Sequence, residues 1–142
     1  MHRTLIALNP WLRRAALIAL LLPVLAFAQG YKVVIHVSDN DPAKWNLALN
    51  NARNIQADLG AGNVEIEIVA YGPGIGMLKL ESPAGSRIAD AAKAGIKVTA
   101  CENTMRGQKL TKDDMLAGIS YVPAGVTEIM KKQHEGWAYL RP

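Results

Sequence analysis

Cys101 is the single cysteine of the chain. It stands where an α/β protein does its chemistry. It follows a short apolar run, Ile96-Lys97-Val98-Thr99-Ala100, and precedes the polar Glu102-Asn103-Thr104. Open α/β sheets bind ligands outside the carboxyl ends of their strands. The polar residues mark the chain leaving the core, which predicts a loop and a solvent-facing thiol. Arg106 and Lys109 follow closely, and a nearby cation raises the thiolate fraction; Glu102 acts the other way. Asn103 and Thr104 are candidate supporting groups. The competing reading is a buried, inert cysteine, because free Cys packs as a small hydrophobe.

His36, late in the first strand, is the candidate proton acceptor for Cys101. That role requires the first and third strands to be neighbours. Asn40, in the turn after the first strand, could present a hydrogen bond near the thiol. Tyr71-Gly72-Pro73-Gly74 is a turn beside the same edge, with Gly72 and Gly74 supplying exposed amides. It lacks the Gly-Lys-Ser/Thr ending of a phosphate loop and the spacing of a dinucleotide fingerprint. No Gly-x-Ser-x-Gly elbow is present. His36 and His134 are far apart, and one cysteine gives no zinc spacing, so neither a metal nor a cofactor is expected. A lone cysteine also rules out an intrachain disulfide framework.

The first 28 residues read as an export signal. His2, Arg3, Arg13 and Arg14 give a basic start, Ala15 to Val24 an apolar stretch, and Ala26-Phe27-Ala28 a small-x-small cleavage pattern. The apolar run is shorter than a bilayer span, so a periplasmic or secreted chain with no stable membrane insertion is expected. Residues 29–142 form one domain. The chain has 16 basic and 12 acidic residues; three arginines and no acid lie in the signal, leaving a net +1 beyond it. No basic stripe or aromatic platform suggests nucleic-acid binding.

The elements that hold these residues alternate. Tyr31–Val37 reads as a buried strand. Asp41-Pro42 opens a helix that places Trp45, Leu49, Ala52, Ile55 and Leu59 on one face and ends at Gly60. Asn63–Ala70 is a second strand, whose Glu65 and Glu67 suggest an edge or a wet face. Ile75–Leu80 fits a short helix or a loop. Ser82-Pro83 starts a helix stopped by Gly95, and Ile96–Ala100 is the third strand. Thr111 to Asp114 resembles a capping box for a helix ending at Gly118. Ile119–Val122, a helix from Pro123 to Gly136, and Trp137–Leu140 complete the chain. This predicts an α/β fold, a three-layer α/β/α sandwich around a mostly parallel five-stranded sheet. The flavodoxin-like order 2-1-3-4-5 would set His36 beside Cys101.

Tyr31-Lys-Val-Val-Ile-His-Val37, the Ala70-Tyr-Gly-Pro-Gly74 turn and Val98-Thr-Ala-Cys-Glu-Asn-Thr-Met105 together resemble the DsrE/DsrF-like proteins. The likeness runs from about Tyr31 to Leu140 and is greatest to the small exported single-domain branch. It implies a flavodoxin-like fold and a homo- or hetero-oligomer. For sulfur-relay members it implies a cysteine that carries sulfane sulfur as a persulfide, here Cys101, passed between a donor and an acceptor thiol protein or small sulfur compound. Two other functions remain open for the same fold: a non-catalytic oligomeric binding module, and a redox sensor forming an intersubunit disulfide.

Overall fold

The computed structural model describes residues 30–142. The export signal expected over residues 1–28 lies outside them. Five strands alternate with helices in chain order: β1 (Tyr31–Val37), α1 (Pro42–Leu59), β2 (Val64–Ala70), a 3-10 segment (Gly72–Leu78), α2 (Gly85–Lys93), β3 (Lys97–Cys101), α3 (Glu102–Gly107), a 3-10 turn (Lys112–Asp114), β4 (Ser120–Val122), α4 (Gly125–His134) and β5 (Ala138–Leu140). All four strand pairings are parallel.

The strand order is β4-β3-β2-β1-β5, not 2-1-3-4-5. β1 and β3 are separated by β2. From β1 to β4 the chain steps in one direction across the sheet, then returns to place β5 on the far side of β1. Right-handed crossovers in opposite directions put their helices on opposite faces. The two faces differ accordingly. Val33, Ile35, Ile66, Ile68, Val98 and Ala100 meet α1, α2 and the 3-10 segment in the main core. Val34 and Val69 point the other way and pack with Ile129 and Trp137, with Tyr71 alongside.

Local chemistry explains the main boundaries. Asp41 caps α1 by accepting from Ala43 N–H at 2.8 Å, a contact of the kind that stabilises by about 1 kcal/mol. Trp45, Ala48, Leu49 and Ala52 follow at helical spacing and are buried; Ile55 and Leu59, expected on the same face, pack partly buried against the core. The segment after the Gly-Pro turn is a 3-10 helix rather than a loop. Gly74 has no room for a side chain, since a Cβ there would lie 2.4 Å from the Val37 carbonyl oxygen. The Thr111–Asp114 capping box forms, with Asp114 Oδ2 accepting from Thr111 N–H at 2.7 Å. The helix expected after it does not continue: Met115 turns extended and bridges Lys79.

Two further expectations are corrected. β2 is an interior strand, and Glu67 is 1% exposed. Its alternation with Glu65 marks the second face of the sheet, which α4 covers. The polar residues after Cys101 form the first turn of α3, not a loop.

Candidate functional site

Cys101 is the last residue of β3 and the N-cap of α3. It is 4% exposed, so the expected solvent-facing thiol is not what the fold provides. Its surroundings are nonetheless polar at the sulfur. α3 begins immediately after it, and α4 begins beside it at Gly125. The free amides at helix starts carry partial positive charge. The Thr104 hydroxyl and the Gly125, Thr104 and Asn103 amides lie around the sulfur and favour its charged form. Burial alone pushes the thiol up and is the largest single influence. Together these polar groups outweigh it and leave the thiol below its ordinary value.

Each donor is itself held. Gly72 N–H donates to Thr104 Oγ1 at 2.9 Å, so the Thr104 hydroxyl proton is free to turn to the sulfur. Gly72 has φ +54°, a left-handed conformation suited to glycine. Asn103 N–H also bonds the Pro123 carbonyl at 3.1 Å, tying the start of α3 to the segment leading into α4. Gly125 brings α4 down closely. A Cβ at 125 would lie 3.0 Å from Tyr71 Cβ, 3.1 Å from Tyr71 Cδ1 and 3.2 Å from Cys101 Cβ.

The cations expected to stabilise the thiolate do not do so. Arg106 is exposed and donates to Asn103 Oδ1 instead. Lys109 is exposed, in a left-handed turn residue with φ +58°. The groups that favour the thiolate are nearby amides and a hydroxyl instead.

His36 is not the thiol's partner, because β2 lies between its strand and β3. It is 7% exposed and shares the sheet face with Cys101. Its ring stacks on Tyr71 with centroids 4.6 Å apart and an interplanar angle of 13°. Its Nδ1 lies 2.7 Å from Tyr139 Oη on β5. Burial, then the positive charge of Arg141, lowers its pKa, with Asp39 opposing, which keeps the ring neutral at neutral pH. Tyr71 therefore stands between histidine and cysteine. Burial is also the main influence that raises the Tyr71 phenol. Arg141 pairs with Asp39 at 3.5 Å, and Lys44 with the same carboxylate at 3.1 Å.

Asn40 is not brought to the thiol. Its Oδ1 lies 2.8 Å from where a Gly76 Cβ would be, on the α1 side of the turn. Of the residues named from sequence, Thr104, Asn103 and Gly72 meet Cys101 directly or through one bond. Gly74 shapes the turn, and His36, Arg106 and Asn40 sit apart. Gly125 and Tyr71, which pack around Cys101, carry no signal for the thiol in the sequence. Only the start of a helix at Pro123 hinted at Gly125.

A family model described as the DsrE/DsrF-like family matches residues 31–142. The chain belongs to that family, which is linked in general to sulfur relay. No curated protein matches it. Among solved structures, the chain is similar to MTH1491, a protein of unknown function from Methanobacterium thermoautotrophicum. The two share 38% identity with a TM-score of 0.75, covering 79% of this chain and 99% of that one. It shares the fold of BT1422, a conserved protein of unknown function from Bacteroides thetaiotaomicron, at 16% identity and TM-score 0.63, covering 78% and 94% of the two chains. It shares it also with the ychN protein of E. coli at 12% identity and TM-score 0.64, covering 79% and 99%.

Proposed function

We propose that this protein is an exported sulfur carrier that holds sulfane sulfur as a persulfide on Cys101. The observation that supports this most is a buried cysteine against which the start of α4 packs at Gly125, with polar groups around the sulfur that hold its thiol below the ordinary value. An inert core cysteine needs no such donors. A thiolate does, because an unpaired buried charge is costly.

The chemistry is exchange at sulfur. The Cys101 thiolate attacks the sulfane sulfur of a donor. With a donor persulfide, the bond from Cys101 Sγ to that sulfur forms as the donor's own S–S bond breaks. The donor thiolate leaves with the electron pair. With thiosulfate, sulfite leaves in the same way. An acceptor thiolate then attacks the outer sulfur, and Cys101 departs as a thiolate. Both transfers are redox-neutral overall and need no cofactor. A low thiol pKa serves both, raising the attacking fraction and improving the leaving group.

The reading carries a periplasmic or secreted location, donor and acceptor thiols or small sulfur compounds as partners, and assembly as a homo-oligomer. Val126 and Met130, exposed on α4, offer apolar surface for such a contact. Mass spectrometry after exposure to polysulfide or thiosulfate is the test. An adduct of about 32 Da, one sulfur atom, is expected on the wild type and absent in Cys101→Ser. No adduct on the wild type sinks the proposal.

The burial of Cys101 favours a second reading, a non-catalytic binding module in which the thiol is packing. A native thiol that resists labelling until denaturation and takes up no sulfur would establish it.

A further inference from the structure

The face of the sheet beneath α4 has little apolar surface with which to hold a helix. Among the described residues, Val34, Val69, Ile129 and Trp137 form its buried cluster, with Tyr71 alongside. Beside them lies the carboxylate of Glu67, 1% exposed. Thr99 Oγ1 donates to its Oε1 at 2.7 Å, and Lys97 Nζ is 3.1 Å from the same oxygen. Lys132 Nζ is 3.3 Å from Oε2, an ion pair without an aligned hydrogen bond. Lys97 and Thr99 belong to β3, the strand that ends in Cys101. Lys132 belongs to α4, where it also reaches Glu128 at 3.7 Å and lies 4.2 Å from the centre of the Trp137 ring.

A buried ion pair is a poor way to gain stability, since well-packed hydrophobic residues do as well or better. It does fix geometry. Gly125, Ile129 and Lys132 are spaced i, i+4, i+7 and share one side of α4. Ile129 and Gly125 are buried against the sheet, and Lys132 reaches into it. One end of that line, Lys132, rests on Glu67, and the other, Gly125, packs against Cys101.

We propose that Glu67 is a positioning residue for the sulfur site: through Lys132 it sets the depth and rotation of α4, and so places the Gly125 amide on Cys101. This builds on the reading of Cys101 as a working thiolate, but its test needs no sulfur donor. The titration of the lone thiol is followed in the full-length protein by thiolate absorbance, with Cys101→Ser as the blank.

Electrostatic field and positioning predict opposite results for Glu67→Gln. Removing a negative charge from the shared face favours the thiolate and moves the titration down. Losing the Gly125 amide moves it up, by about one pH unit for one hydrogen bond to a charged group. The upward shift is expected; a downward shift or none overturns the proposal. Should Glu67→Gln not fold, Lys132→Met against Lys97→Met decides. Both remove a cation paired with Glu67, but only Lys132 is on α4. A rise confined to Lys132→Met is expected, and an equal rise in both overturns the proposal. If the wild type takes up no sulfur while these shifts appear, the positioning stands and the carrier reading falls.

Discussion

Gly125 on α4 and Cys101 on β3 are packed so closely that a methyl group on the glycine would stand 3.2 Å from the cysteine Cβ. The same methyl would meet the Tyr71 ring at 3.1 Å. That approach brings the amide at the start of a distant helix beside Cys101. Gly125→Ala is expected to push α4 outward by a few tenths of an ångström and to draw that amide away from the sulfur. The thiol titration should rise, by up to about one unit, cutting the thiolate fraction at neutral pH as much as tenfold. The rate of thiolate alkylation against pH measures it; an unshifted profile means that the Gly125 amide does not matter.

Thr104→Val keeps the shape of the side chain and removes the hydroxyl. It should raise the Cys101 titration and leave Gly72 N–H without its acceptor, costing about 1–2 kcal/mol of stability. Thr104→Ser should retain both. Thiol titration and urea unfolding of the three proteins separate the two effects.

The lowered thiol pKa carries a sign for stability. The folded chain binds fewer protons at Cys101 than the unfolded chain does. Its contribution is therefore fully present above the unfolded pKa, near about 8.5, and is lost as pH falls through the folded value. His36, also lowered, acts in the same direction at lower pH: stability falls as pH drops below the ordinary 6.5. Urea midpoints across pH should rise with pH in both windows. Cys101→Ser is expected to flatten only the upper one.

His36→Gln should leave the Cys101 titration within a few tenths of a unit, because Tyr71 separates the two side chains. The change should show instead as lost stability, through the stack on Tyr71 and the bond to Tyr139. A shift of the thiol by a full unit would restore His36 as its proton acceptor.

Much of this architecture is readable from local sequence. Asp41-Pro42 opens its helix, β1 spans Tyr31–Val37 as its β-branched residues indicate, and Cys101 ends its strand. Strand order is not local: it depends on which face each crossover packs, so the sequence alone sets His36 beside Cys101 where the fold interposes β2. Glu67 looks like a wet residue because the groups that make its burial tolerable, Lys97 and Lys132, are 30 and 65 residues away in the chain. Arg106 and Lys109 are near Cys101 in sequence and irrelevant to it in space. Gly125, unremarked at the start of a helix, supplies a donor only because α4 returns across the second face.

The sheet's unequal sides divide its duties. Nearly all the aliphatic packing lies with α1 and α2, while the sulfur, Tyr71, His36 and Glu67 occupy the sparsely packed side. Substitutions that retune reactivity thus fall outside the main aliphatic core, and their cost is set by lost polar contacts rather than by cavities in it.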